Sequence, residues 1–172
     1  MKFIIEHKTV NNLHLFFYFN LKSDPTVGMY QPAKYFAGLN KTQKKKKLKE
    51  MKHFGSMSWT DPKAYVGFKT DQTVKSKPSS YTQRWKAKFP KALSLKQKSD
   101  ATGVPLKFIK KSFDRGMAAW RTGHRPGATQ QQWGYARVHS FLLKGKTYRT
   151  TDSDLAKNAI AESSGARAWF KK

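Results

Sequence analysis

The sequence predicts a mainly α-helical protein: a small helical domain with a helix–turn–helix-like unit, basic arms and, in one reading, a short N-terminal β-hairpin. Three observations predict it. Helix-start pairs recur three residues apart, at Asn40 with Gln43, Ser94 with Gln97 and Thr151 with Asp154, the spacing at which a side chain can satisfy a free amide of the first turn. Apolar residues recur every three or four positions at Leu106, Ile109, Phe113, Met117 and Trp120, which is one face of a helix. Finally, 14% of the 172 residues are aromatic although the formal net charge is +25, so a packed core sits inside a basic shell rather than a disordered basic tail.

In chain order, residues 1–28 form an N-terminal extension of different composition. One reading pairs strands near Phe3–Val10 and Leu13–Phe19 across Asn11-Asn12; the other takes Met29 as the start. Residues 29–80 hold a basic helix and a linker. The helix is expected over 41–53, with Asn40 as its cap, Leu48 and Met51 as a thin apolar stripe and Gly55 as its stop. Tyr65–Lys69 reads as a short strand, and the stretch through Ser80 as loop. Residues 81–162 form the helical core. Tyr81, Trp85 and Phe89 share one face of a short helix that ends before Pro90. A helix capped by Ser94 runs to Thr102, turns at Gly103, and leads through Pro105 into the amphipathic helix to 121, where Gly116 suggests a bend. Thr129 caps the next helix, which runs to about Leu143 before Gly145 ends it, and in which Gly134 would let another backbone come close. Thr151 and Asp154 open the last helix. Residues 163–172 read as a frayed basic tail.

The 35 Lys and Arg against 10 Asp and Glu indicate a polyanionic partner. No Cys is present, which excludes disulfide scaffolds, thiolate metal sites and Cys nucleophiles. The most apolar run, Leu13–Phe19, is far short of the roughly 18–20 residues of a membrane span, and Glu6, His7 and Lys8 break it as a signal peptide. Neither a membrane location nor secretion is expected.

Three groups of residues carry candidate chemistry, all of it binding. The first is the run Lys41, Lys44, Lys45, Lys46, Lys47 and Lys49, opposed only by Glu50. It suits phosphate contacts, which give affinity without reading sequence; a solvated face or a nuclear localisation signal are the blander readings. The second is the 94–121 unit, whose second helix would present Lys107, Lys110 and Lys111 to a nucleic acid. The alternative is an ordinary helical hairpin with solvated lysines, and Lys98 stands where such units usually carry a core aliphatic. The third is the loop with Arg121, His124 and Arg125 before Pro126-Gly127, with Arg137 beyond it. Arg125 and Arg137 could clamp one phosphate there, or the loop could be a plain helix–helix turn. Aromatics interleaved with lysines at Trp85, Lys86, Lys88 and Phe89 could stack bases of a single strand, although core positions suit them better. The acids are scattered, and no His has metal-ligand spacing. No catalysis, cofactor or metal is expected.

From about Tyr35 to Leu155 the chain resembles an uncharacterised domain family of large DNA viruses of algae and protists, with relatives in phages. The resemblance rests on Tyr35-Phe36-Ala37-Gly38-Leu39 before the Lys-rich helix, on Ala101-Thr102-Gly103-Val104, and on Gly123-His124-Arg125-Pro126-Gly127 leading to Trp133-Gly134-Tyr135-Ala136-Arg137-Val138. Lys146 and Thr151-Asp152-Ser153-Asp154-Leu155 add to it. It implies a viral or phage origin and an α-rich basic domain, and transfers no functional residue. The expectation is therefore a nucleic-acid-binding protein of a DNA virus or phage, DNA favoured over RNA, located in the virion or in the cytoplasm or nucleus of the infected cell. The alternatives are a virion structural protein in contact with capsid proteins, and a nucleic-acid-processing enzyme using the His124/Arg125 loop.

Overall fold

The computed structural model describes residues 31–72 and 74–171. The hairpin and extension expected over 1–28 lie outside them. From Pro32 onward the described residues fall within one unit, Pro32–Lys172, and the described residues contain no strand. Eight α-helices follow in order: α1 Lys41–Ser56, α2 Ser80–Lys88, α3 Leu95–Thr102, α4 Leu106–Trp120, α5 Gln130–Leu142, α6 Lys146–Arg149, α7 Ser153–Glu162 and α8 Ser164–Lys171. Short 3-10 turns lie at Ala33–Phe36, Pro62–Tyr65 and Lys69–Asp71.

Local side-chain caps set the starts of α1, α3 and α5. Asn40, Ser94 and Thr129 each accept from the amide three residues on, and Gln43, Gln97 and Gln132 return the bond to the cap's own amide. At the end of α3, Gly103 takes φ 69°, a left-handed conformation that a side chain resists. It also lies back to back with Gly165 at the start of α8, where an added Cβ would come within 2.8 Å of backbone.

The centre is the pair α4 and α5. A Cβ on Gly116 would sit 2.8 Å from the Gly134 Cα, and one on Gly134 would sit 2.7 Å from the Phe113 ring. The two helices touch where neither has a side chain. Around them Trp85, Val104, Ile109, Val138, Phe141, Leu142, Leu155, Ala159 and Phe170 form the core. A second aromatic nest holds α1 to the body: Phe68 stacks on Phe54 and tilts against Trp120, and Met51 is buried beside it. Replacing glycine by alanine in a helix interior usually gains about 0.5–1 kcal/mol. Gly116→Ala should instead cost about 1–3 kcal/mol, because backbone must move to admit the methyl. A urea midpoint that stays put or rises would show that α4 and α5 have room to part.

Several expectations are corrected. The strand at Tyr65–Lys69 is replaced by two 3-10 turns, because Asp61 caps the Lys63 amide and Glu50 takes the Lys69 amide and the Thr70 hydroxyl. Helix α1 runs through Gly55 to Ser56, since Arg121 donates to the Phe54 and Gly55 carbonyls at 3.1 and 2.9 Å and so satisfies its last turn. Gly116 serves contact with Gly134. The buried stripe of α4 runs through Phe108, Ile109, Ser112, Gly116 and Trp120, while Leu106 is exposed and Phe113 and Met117 are half-buried. No capping box forms at Thr151: Asp152 stands at the N-cap of α7 without a side-chain cap bond, and Asp154 is drawn to Arg115. The expected frayed tail is α8, which buries Ala166 and Phe170 and ties Trp169 Nε1 to the Leu142 carbonyl at 2.8 Å.

Candidate nucleic-acid interface

Helix α1 has two unlike faces. Lys47, Met51 and, in part, Leu48 and Phe54 turn inward. Lys41, Lys45 and Lys49 form an exposed row one turn apart, continued by His53 and flanked by exposed Lys44, Lys46 and Lys52. Each step of that row rises about 6 Å. Like charges four apart weaken a helix, so this face is not there for the stability of α1.

The acidic residues explain why the row stays unneutralised. The chain has ten, of which Glu6 and Asp24 lie outside the described residues. The other eight are each engaged elsewhere. Glu50 and Asp61 hold the 3-10 turns. Asp71 holds Lys47 and His124. Asp100 and Asp114 pair along their own helices with Lys96 and Lys110. Asp152 and Asp154 hold Arg115 and Arg137, and Glu162 pairs with Lys107. Among the described residues no carboxylate meets Lys41, Lys44, Lys45, Lys46, Lys49 or Lys52.

Lys47, by contrast, is wholly buried. Its Nζ lies 2.5 Å from Asp71 Oδ1 and 4.3 Å from the Phe68 ring centroid. Burial pushes its ammonium below the ordinary value, against the raising pull of Asp71 and Glu50. His124 is equally buried. Its Nδ1 donates to the Trp120 carbonyl at 2.7 Å, its Nε2 faces Asp71 Oδ2 at 2.5 Å, and its ring stacks on Trp120. Burial alone would raise the Asp71 carboxyl. The hydrogen bonds and charges of His124 and Lys47 outweigh it and hold the group below the usual carboxylate range.

The remaining loop residues are likewise committed inward. Arg121 is spent on the end of α1. Arg125 donates to the Lys77 and Pro78 carbonyls at 2.7 and 3.3 Å. Arg137 grips the fully buried Asp152 through Nε and Nη2 at 2.9 and 2.7 Å, beside Ser112 and Arg115. The two arginines thus have separate carbonyl and carboxylate partners, which leaves the reading of a shared phosphate clamp between them without support. The lysines of α4 do face solvent. Lys107 and Lys110 are 61% and 66% exposed and hold Glu162 and Asp114 at 2.5 and 3.0 Å. Such exposed pairs are worth at most about 1 kcal/mol. Lys111 is exposed as well. A family model described as a family of unknown function (DUF5824) matches residues 32–159.

The chain belongs to that family. The DUF5824 match takes in the lysine face of α1, the α3–α4 pair, the Gly123–Gly127 loop and most of α7, and stops before α8. No curated protein and no solved structure matches the chain. No helix among the described residues is long and apolar enough to cross a membrane.

Two buried groups in the DUF5824 region lack a charge partner. Lys98 donates to the Ala92 and Leu93 carbonyls at 2.7 and 2.5 Å between the Trp85 and Tyr135 rings. Burial, helped by the charge of Lys86, lowers its ammonium to about 8. His139 shares Nδ1 with the Thr82 hydroxyl at 3.0 Å and leaves Nε2 buried without a partner. Burial and the charges of Lys98 and Lys86 lower it to about 3. Sequence reading also passed over Arg84, Lys144 and Arg149, which the fold gathers with Lys146 around one basin. The one local signal was a lysine directly before Gly145 at a helix end.

Proposed function

We propose that this protein binds nucleic acid, DNA in preference to RNA, through the phosphate backbone, without catalysis, in the service of a DNA virus or phage genome. The observation that carries the binding is the exposed row Lys41, Lys45 and Lys49 with its flanking lysines, left without acids because the fold commits the described acids elsewhere. Phosphates would relieve the repulsion along that row, and Lys107, Lys110 and Lys111 on α4 supply a second exposed set. The viral setting rests on the motif resemblance around Gly123–Gly127 and Trp133–Val138.

The test is a titration of duplex DNA, single-stranded DNA and RNA at two or more salt concentrations. If about six phosphates are neutralised, log K for duplex DNA should fall with log salt at a slope near −5. Replacing Lys45 and Lys49 by Ala should leave stability within about 0.5 kcal/mol. It should make the slope shallower by about 2. A wild-type slope shallower than about −2, or a double variant that binds as the parent does, would overturn the proposal.

A further inference from the structure

Away from α1, where α2 meets the α5–α6 connection, lies a basin of about 320 Å³ lined by Tyr81, Arg84, Lys144, Lys146, Arg149 and Thr150, among others. Three of these, Arg84, Lys144 and Arg149, are cations brought from α2, from the residues after α5 and from α6, and no acid among the described residues lines the basin. Concentrating cations in a concavity is unfavourable unless an anion occupies it.

Lys144 shows that the charge is not incidental. Helix α5 ends in a double bond pattern: the Lys144 amide donates to the Phe141 carbonyl at 3.2 Å and the Gly145 amide to the Ser140 carbonyl at 2.7 Å. That motif puts its pivotal residue in the left-handed region, where glycine is usual. Here the residue is Lys144, at φ 53°, the one non-glycine residue at positive φ among those described. Backbone geometry asks for glycine, and a side chain that opposes it needs another reason. Tyr81 completes the wall. Its hydroxyl accepts from the Lys146 amide at 3.2 Å, so its own proton is left to donate, and the Arg84 guanidinium stands 5.7 Å from its ring centroid.

We propose that this basin is an anion site that takes a phosphoryl group. Arg84 and Arg149 offer planar forks that match phosphate oxygens, Lys144 supplies a point charge, and the Tyr81 hydroxyl donates a neutral bond. The phosphoryl group comes either from a nucleic-acid backbone, in which case the basin is a second anchor under the reading above, or from free phosphate or a phosphate monoester.

Inorganic phosphate, titrated into the full chain at constant ionic strength against chloride, should give saturable amide shifts at residues 81–84 and 143–150. Lys144→Gly with Arg149→Ala should keep or raise the melting temperature, because the glycine removes the strain. The same change should weaken phosphate at least about tenfold through two lost charge-assisted contacts. Arg84→Gln, on the exposed face of α2, should weaken it independently. If duplex affinity falls in the same variants, the backbone supplies the group; if duplex affinity holds, the source is a free phosphate or monoester. Saturable phosphate binding in a chain that ignores duplex DNA would sink the nucleic-acid reading and leave the basin standing. Phosphate that shifts nothing at these residues, or binds the variants as it binds the parent, overturns the inference.

Discussion

Below pH 6.5 the protein should lose stability in proportion to a single buried imidazole, His139. The ring lies stacked against Trp85 and Tyr135, with Lys98 and Lys86 near enough to oppose a second positive charge. Its folded value is about 3 against an ordinary 6.5. Well above pH 6.5 the group is neutral in both states and contributes nothing. As pH falls below that, the unfolded chain takes up a proton that the folded chain refuses, so stability drops until about pH 3, by of order 4–5 kcal/mol in all. Between pH 6.5 and pH 5 ordinary carboxylates are still ionised, and about 2 kcal/mol of the loss should already be visible. Urea unfolding across that range, on the parent and on His139→Phe, separates this group from the rest. The phenyl ring keeps the stack with Trp85 and cannot be protonated, so its curve should be flatter by about that amount. Parallel curves would mean that the His139 ring takes up its proton in place.

The second large effect should come from Asp71→Asn. The carboxylate is shared by Lys47 and His124, both wholly buried. Removing its charge leaves the Lys47 ammonium inside the protein with the Phe68 ring as its main company, and an uncompensated buried charge costs about 3–5 kcal/mol. Adding Lys47→Met should restore a good part of that, because the buried cation goes together with the need for its partner. Chemical denaturation of the single and double variants decides it: a loss under about 1 kcal/mol for Asp71→Asn would place the Lys47 ammonium in water after all.

The contrast between what could and could not be read from the sequence follows the range of each interaction. Asn40 with Gln43 and Ser94 with Gln97 were legible because both partners of each box lie within one turn. Thr151 with Asp154 has the same spacing and failed, because Arg115, 39 residues away, binds Asp154 in two places. The burial of Lys47 depends on Asp71, 24 residues on, and that of His124 on the same residue 53 residues back. A lysine in a lysine run looks like its neighbours until the fold selects one to turn inward. Phe108 and Leu106 are both compatible with an apolar face of α4; the packing of several helices on it, not its period, made the choice. The tail became α8 because Phe170 finds Phe141 and Tyr148, residues that a local window does not join to it.

The exposed lysines of α1 stand on a helix whose own sequence opposes it, and that helix is held by Asp71, Glu50 and Arg121 from behind. Under the nucleic-acid binding proposed above, a genetic screen for its loss would therefore gather its hits in two populations. One would fall on the row itself and be mild, each lysine being one of several. The other would fall on residues that never meet a partner, Asp71 and Arg121 foremost, and be severe, since losing either unseats the whole row at once.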